Sequence, residues 1–229
     1  PEAKPRTYYP DNEPVDYSLE SNTIILTQKT ETSTGLQKQI EISFTDTNRV
    51  KVIHRIINHN LWDIRFAPWS LTVMNVKGRA IIPQEPYVSL EERLTPVRPM
   101  ALWGYTDMSD SRWIWGKKYI QLIQDPGQPA QQKLGVLNKL GWIAYVLEGQ
   151  VFIKRYPYHV QALYPDYGVN TEIYTDADIL EMETLGSFQE IAPRNYAHHT
   201  EHWAIFKAEV GTGEESIEQN LIPLINPKA

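Results

Sequence analysis

Cysteine is absent from the 229-residue sequence, and no apolar run approaches the ~18 residues that a membrane-spanning helix needs. Disulfides and thiolate metal sites are therefore excluded, and the redox compartment is left open. The 22 Lys and Arg residues are scattered, and the formal net charge is -6. This balance does not give the basic surface that binds nucleic acid. We expect neither nucleic acid nor a membrane as a partner.

Phosphate-binding Gly-rich loops, dinucleotide fingerprints and nucleophile elbows are also missing, so we expect no cofactor. The densest histidine run, HHTEH at residues 198–202, lacks the HExxH order of a zinc-binding helix. On a strand, His198, Thr200 and His202 would share one face. That face could hold a pair of metal ligands, but it is also a common surface pattern, and we expect no metal there.

The first 18 residues carry four prolines and no hydrophobic periodicity. This pattern predicts an extended surface segment over residues 1–18, followed by one domain over residues 19–229. The chain starts at Pro1 and not at Met. We therefore expect a processed or truncated product. The localisation is left open.

Most of the remaining sequence alternates between apolar and polar residues, with turn residues every 8–12 positions. For example, Val50, Val52, His54 and Ile56 would share one face of a strand. This rhythm predicts an all-β antiparallel sandwich and not βαβ units. Residues 214–221 predict a short acidic helix near the end of the chain, whereas residues 131–140 fit either a helix or a strand.

Charged residues concentrate in residues 154–186, where a sheet would normally hide apolar groups. Period-2 alternation places Lys154 with Phe152 and Tyr156, Glu172 with Tyr174, and Glu181 with Glu183. We expect Lys154, Glu172, Tyr174 and Glu183 to meet on one concave surface, which would suit a ligand with many hydroxyl groups. The alternative is an ion-pair network with a structural role.

Two stretches carry a family resemblance: HRIINHNLWDIRFAPWSLTVM (residues 54–74) and LYPDYGVNTEIYTDADILEMETLGSF (residues 163–188). Together they resemble an uncharacterised bacterial family of the galactose mutarotase-like superfamily, which is related to aldose 1-epimerases. The resemblance covers roughly residues 19–210 and implies a large antiparallel β supersandwich with few short helices. It also implies that Glu183, after Tyr174-Thr175, is a general base, that Asp166 contacts the sugar, and that early strands are either missing or supplied by a separate N-terminal chain or segment. Trp69, after Pro68, could stack on a sugar face, and Arg65 is a further candidate sugar-binding residue.

The sequence differs from the epimerase pattern at two places. Thr184 follows Glu183 where a proline is expected, and Trp69-Ser70 replaces a histidine-aromatic pair. An acid must therefore come from elsewhere, and His54 or Lys154 is the candidate. Both Trp69 and His54 also fit a role in a hydrophobic core.

These observations predict a carbohydrate-binding protein that could act as an aldose-epimerase-like enzyme. One alternative is a non-catalytic accessory or interaction domain in polysaccharide handling. Another is a glycoside hydrolase or lyase. Glu181 and Glu183 point the same way, so a hydrolase would need Asp166 or Glu172 as the second carboxylate.

Overall fold

The computed structural model describes residues 13–226, which form mainly antiparallel strands. The strands are β1 (Asp16–Glu20), β2 (Thr23–Thr27), β3 (Leu36–Asp46), β4 (Arg49–Asn58), β5 (Ile64–Phe66), β6 (Trp69–Met74), β7 (Arg79–Pro83), β8 (Met100–Leu102), β9 (Trp113–Trp115), β10 (Tyr119–Ile123), β11 (Gln132–Val136), β12 (Trp142–Leu147), β13 (Gln150–Arg155), β14 (Thr171–Thr175), β15 (Leu180–Leu185), β16 (Gln189–Ile191) and β17 (Tyr196–Lys207). The helices are α1 (Glu214–Asn220) and α2 (Ile222–Ile225).

The strands build two large sheets and one small pair. The ten-stranded sheet has the order β1-β2-β3-β4-β17-β13-β12-β7-β10-β9, and the five-stranded sheet has the order β6-β15-β14-β11-β8. Strands β16 and β5 form the separate pair. The predicted all-β antiparallel sandwich is therefore confirmed. Strands β14 and β15, which are neighbours in the sequence, pair directly. Strand β11 also pairs with β14, although a long stretch of chain separates the two strands.

The main core lies between the two large sheets. Leu134, Ile173 and Met182 of the five-stranded sheet pack in one cluster with residues of the ten-stranded sheet such as Ile143 and Tyr145. Because side chains alternate along a strand, the residues next to Leu134, Ile173 and Met182 point to the outer face of the five-stranded sheet. That outer face carries the candidate site.

A second apolar cluster covers the back of the ten-stranded sheet. Val151 and Ile153 of β13 pack there against Ile217 of α1 and Ile225 of α2. The predicted acidic terminal helix is confirmed in α1. Its Glu218 accepts a hydrogen bond from Tyr119 Oη (2.8 Å), which ties the helix to β10.

Two sequence predictions about chain organisation have different outcomes. Residues 131–140, which fitted a helix or a strand, contain strand β11. Residues 1–12 of the predicted N-terminal segment lie outside the described residues. Its last residues belong to β1, which pairs with β2, because the prolines end at Pro14 and the next N–H groups are free to form a ladder.

Within residues 13–226, no helix is long and apolar enough to cross a membrane.

Gly141 has a conformation that only glycine adopts easily. Its φ is +67°, and a Cβ atom there would lie 2.5 Å from the Tyr156 carbonyl oxygen. That oxygen belongs to backbone and cannot move aside, and Tyr156 N–H donates to the Gly141 carbonyl (3.0 Å). We expect Gly141→Ala to lower the free energy of unfolding by ~2 kcal/mol or more.

Urea denaturation measures this change. Gly104→Ala is the matched control, because a Cβ atom at Gly104 would meet no atom within 4 Å. Equal unfolding free energies for the two variants would contradict the assignment of strain to Gly141.

Candidate functional site

The outer face of the five-stranded sheet carries one ammonium group between two carboxylates. Lys133 lies on β11, Glu172 on β14 and Glu183 on β15, and Glu172 and Glu183 are direct cross-strand partners. Lys133 Nζ lies 2.9 Å and 2.8 Å from the two oxygens of Glu183 and 2.8 Å from Glu172 Oε2. All three residues are buried. We call them the Lys133 triad.

Two tryptophans hold the ammonium group from its sides. The Lys133 Nζ atom lies 5.3 Å from the ring centre of Trp69 and 4.8 Å from that of Trp103, which are cation–π distances. Trp69 Nε1–H donates to Glu183 Oε2 (2.7 Å), yet 43% of this residue remains exposed. Trp69 therefore links the buried triad to the surface.

A glycine opposite Glu172 makes room for its side chain. Gly135 is the register partner of Glu172, and a Cβ atom on Gly135 would lie 3.4 Å from Glu172 Cγ. On the other side it would lie 2.9 Å from Val169 Cγ2. A glycine within a strand costs stability, so its position next to a buried carboxylate indicates a requirement for space.

Glu172 is the least satisfied member of the triad. Its Oε1 atom is buried and has no hydrogen-bond partner in the described structure. Burial raises the pKa of Glu172 to about 8, although Lys133 opposes this rise. For Lys133, burial alone would lower the pKa, but the Glu183 and Glu172 charges outweigh it and the pKa is raised. At neutral pH, Lys133 is therefore charged and Glu172 favours its protonated form.

Partly exposed groups surround the triad. Tyr105 and Tyr174 make an edge-to-face contact at 6.5 Å, and Tyr174 Oη donates to Asp176 Oδ2 (2.9 Å). Burial and the Asp176 interactions raise the pKa of Tyr174 to about 12. Burial, followed by Glu183, raises the pKa of Glu181. The edge strand β6 adds exposed apolar side chains next to Trp69, namely Leu71 and Val73.

Lys154 was expected on this surface, and that prediction is wrong. Lys154 does share a face with Phe152 and Tyr156, as predicted, but this face of β13 points into the space between the sheets. There Lys154 is fully buried, its Nζ atom lies 3.0 Å from Glu201 Oε1, and it donates to the Met182 carbonyl (3.2 Å). The predicted alternation along β13 was correct. The sequence alone could not show whether the face with Lys154 would point to the surface or into the space between the sheets.

His54 also lies between the sheets, so the predicted pairing of His54 with Glu183 is wrong in its geometry. His54 Nε2 lies 3.2 Å from Glu201 Oε2 and 3.0 Å from Ser70 Oγ. Ser70 is on the inner face of β6, whereas its neighbour Trp69 reaches Glu183 on the outer face. The sheet therefore separates His54 from the Glu183 carboxylate.

Glu201 organises this second, interior cluster. Its carboxylate accepts hydrogen bonds from Trp203 Nε1–H (2.8 Å) and from the Thr184 hydroxyl, besides its contacts with His54 and Lys154. Burial would raise its pKa, but His54, Lys154 and Thr184 hold the pKa well below its usual range. Burial lowers the pKa of Lys154. This network matches the structural alternative given for Lys154.

Arg65 and Asp166 are not connected to the Lys133 triad by a hydrogen bond or ion pair in residues 13–226. Arg65 on β5 stacks over the Phe188 ring at 4.9 Å. Asp166 lies in a turn with φ +49°, where Gly168 N–H donates to the Pro165 carbonyl (2.8 Å). Their predicted contacts with a sugar stay predictions.

The histidine run lies on strand β17, and the prediction that His198 and His202 share one surface face of a strand is confirmed. His199 and Glu201 face the interior, and the alternate residues His198 and His202 are exposed. Residues 13–226 contain no cluster of three His, Asp or Glu side chains that could hold a metal ion.

Lys133, Trp103 and Tyr105 are the site residues that sequence analysis missed. Lys133 lies in the segment whose secondary structure was ambiguous, so its face was unassigned. Recognising Gln132–Val136 as a strand would have revealed it, because Lys133 and Gly135 then alternate with Leu134 and Val136. Trp103 and Tyr105 follow the three-residue strand β8, which is too short to show a period.

Comparisons with known proteins identify the fold. A galactose mutarotase-like protein from Lactobacillus casei superposes with a TM-score of 0.54 at 10% identity, covering 84% of this chain and 73% of that one. A protein from Escherichia coli K12, described as a candidate aldose 1-epimerase, gives 0.53 at 12% identity over 85% and 69%. The match extends to a TPR-domain containing protein from Parabacteroides distasonis, with 0.55 at 12% identity over 87% and 36%.

No family model matches the sequence, and no curated protein matches it. At these identities the structural matches show the fold alone. That fold is the galactose mutarotase-like one, as the sequence resemblance implied.

The interior cluster predicts unequal effects of its two charged partners on stability. Glu201→Gln leaves Lys154 buried without its counter-ion, and we expect a loss of ~3–5 kcal/mol in the free energy of unfolding. Lys154→Met should cost less, because Met fills the space and Glu201 keeps its other three donors. Urea denaturation measures both, with the exposed Lys207→Met as control. A larger loss for Lys154→Met would contradict this order.

His199 predicts a pH-dependent loss of stability. Burial lowers its pKa to about 4, whereas an unfolded histidine titrates near ~6.5. The contribution of neutral His199 is therefore complete above pH ~6.5 and is lost as the pH falls to about 4, by at most ~3 kcal/mol. Urea denaturation across this range should show a weaker dependence in His199→Gln. The exposed His59→Gln serves as control, and an unchanged slope in His199→Gln would contradict the assignment.

Proposed function

We propose that the protein binds a carbohydrate on the outer face of the five-stranded sheet, around the Lys133 triad. The observation that carries this proposal is the placement of Lys133 between two tryptophan rings and two carboxylates. Flat aromatic faces suit the apolar C–H faces of a sugar ring, and the adjacent carboxylates and ammonium group suit its hydroxyls. The fold shared with mutarotase-like proteins supports this interpretation.

The charge of the surface favours neutral sugars. The negative charges of Glu181 and Glu183 act on Tyr105 together with a single ammonium group, that of Lys133, while Glu172 favours its protonated form. A phosphorylated or acidic sugar would meet repulsion from this surface, because like charges brought together in a partly dry site cost free energy. We therefore expect neutral aldoses to bind better than sugar phosphates or uronic acids.

An aldose-epimerase-like activity is the finer form of this proposal. Interconversion of sugar anomers needs a base for the anomeric hydroxyl and an acid for the ring oxygen. Glu183 remains our candidate base, because the resemblance and the position on β15 both favour it. Lys154 and His54 are excluded as the acid by their positions on the other side of the sheet.

A glycoside hydrolase is less consistent with the geometry. Retaining enzymes keep their two carboxyl groups about 5–5.5 Å apart and inverting enzymes ~6.5–9.5 Å apart. Glu172 and Glu183 instead share the Lys133 ammonium group, and each has an oxygen 2.8 Å from its Nζ atom. The ammonium group of Lys133 thus occupies the space between the two carboxylates.

A non-catalytic binding domain is the second candidate function. Both oxygens of Glu183 are engaged, one by Lys133 and the other by Lys133 and Trp69, so the carboxylate is satisfied as it stands. The match to a part of a larger TPR-domain containing protein is consistent with a binding module. This candidate predicts sugar binding without any change in the rate of anomer exchange.

Trp69→Ala tests the binding surface. It removes one stacking face and one donor to Glu183, and we expect roughly ten-fold weaker binding of a neutral aldose, ~1.4 kcal/mol. Titration calorimetry against neutral aldoses, uronic acids and sugar phosphates measures both affinity and charge preference. Trp62→Ala is the matched control, because Trp62 is 62% exposed and contacts Asn58 through its backbone carbonyl. Binding that is weakened only by Trp62→Ala would refute the assigned surface.

A further inference from the structure

We propose that Glu172 and Glu183 hold one proton between them and act together as the acid and the base on one sugar, an inference that rests on the proposed function. The pair comes from the register of two neighbouring strands, in which Glu172 of β14 stands directly opposite Glu183 of β15. The roles are divided by surroundings, with Glu172 as the acid and Glu183 as the base.

The first argument is the closeness of the two carboxyl groups. Glu172 Oε2 and Glu183 Oε2 each lie 2.8 Å from the Lys133 Nζ atom, so the same ammonium group holds the two carboxyl groups close together. Two ionised carboxylates this close repel each other, which favours a proton on one of them. A single ammonium group, that of Lys133, neutralises only one of the two charges.

The second argument is the unpartnered oxygen of Glu172. This residue is 1% exposed, and its Oε1 atom has no hydrogen-bond partner among the described residues. An ionised oxygen in that position would be buried without compensation, which costs several kcal/mol. A proton on Glu172 removes the charge, and a sugar oxygen could then take the vacant hydrogen-bonding position.

Glu183 has the opposite surroundings. Lys133 contacts both of its oxygens, and Trp69 Nε1–H donates to Oε2. These donors make Glu183 the hydrogen-bond acceptor of the pair, and Glu172, which has the unpartnered oxygen, is the proposed carrier of the proton. The other groups that face the pair are Glu181 of β15, Tyr174 and Asp176 at β14, Tyr105 and Trp103 beyond β8, and Trp69 of β6.

The chemistry balances with these two groups alone. The ionised Glu183 takes the proton of the anomeric hydroxyl, a C1=O double bond forms, and the bond between C1 and the ring oxygen breaks. The bond's electron pair goes to the ring oxygen, which takes the proton of Glu172. After rotation about C1–C2, the reverse transfers close the ring and restore both carboxyl groups. Both reacting oxygens are bonded to C1, so two adjacent carboxyl groups on one face can reach them.

Trp69 lies between Glu183 of this pair and the surface. Its indole N–H occupies Glu183 Oε2, where the anomeric hydroxyl would have to donate. Trp69 begins the edge strand β6 and its side chain is partly exposed, so the proposal requires the ring to turn outward when the sugar binds. The sugar hydroxyl then replaces the indole as the donor.

The proton is tested without any sugar. Carbon-13 NMR of protein labelled at the glutamate side-chain carboxyl carbon reports the titration of each glutamate. We expect one carboxyl to titrate near pH 8 in the wild-type protein. This titration should be absent in Glu172→Gln, which keeps the shape and donor capacity of the protonated acid. Titration of every glutamate in the ordinary range would overturn the shared proton.

The catalytic pair is tested by NMR exchange between the anomers of neutral aldoses. We expect Glu172→Gln and Glu183→Gln each to slow exchange by roughly 100-fold, while the Kd for the sugar changes less. The wild-type rate should fall above about pH 8, as Glu172 loses its proton. Glu190→Gln, at an exposed position of β16, is the control and should keep the wild-type rate.

Two results separate this proposal from the proposed function. Wild-type exchange rates in Glu172→Gln, with sugar still bound and turned over, would overturn the pair and leave the proposed function intact. A carboxyl that titrates near pH 8 in a protein that binds none of the sugars would instead overturn the sugar site and with it the catalytic role of the pair.

Discussion

The outer face of the five-stranded sheet depends on one ammonium group placed among too many carboxylates. Lys133 contacts Glu172 and Glu183 at 2.8 Å and lies between the rings of Trp69 and Trp103. Burial strengthens each attraction and also makes each uncompensated charge costly. One positive charge cannot satisfy two buried negative charges, and burial raises the pKa of Glu172. The reactivity proposed for the site follows from this imbalance.

Strand β15 connects this site to the interior cluster on the opposite face of the sheet. Glu183 points outward to Lys133, whereas the next residue, Thr184, points inward and donates to Glu201. The carbonyl of Met182 accepts from Lys154, which fixes the same strand from the interior side. The interior cluster has its own cation and carboxylate and needs no ligand. We therefore interpret it as the support that keeps β15 in register beneath the site.

Sequence periodicity revealed which side chains share a face, but not which faces meet. The alternation in β14 and β15 correctly placed Glu172 and Glu183 together, and that in β13 correctly grouped Lys154 with Phe152 and Tyr156. The choice of layer depends on long-range pairing, since β11 and not β13 lies next to β14. Lys133 was missed because its segment, which contains a glycine at position 135, fitted either a helix or a strand. The face on which Lys133 lies could therefore not be assigned. The fold could be predicted from the spacing of strands and turns and from the family resemblance, whereas Lys133 could not be predicted as part of the site.

The position of the acid decides how a mutarotase-like fold could act on sugars in this protein. A histidine on the inner side of the sheet cannot reach a sugar on the outer side, because a layer of backbone hydrogen bonds separates them. An acid on the neighbouring strand avoids this barrier. The two oxygens that exchange protons in a sugar hemiacetal share one carbon, so the acid and the base need not stand on opposite sides of the ring. Two carboxyl groups in direct cross-strand register meet that requirement, provided that burial keeps one of them protonated at neutral pH.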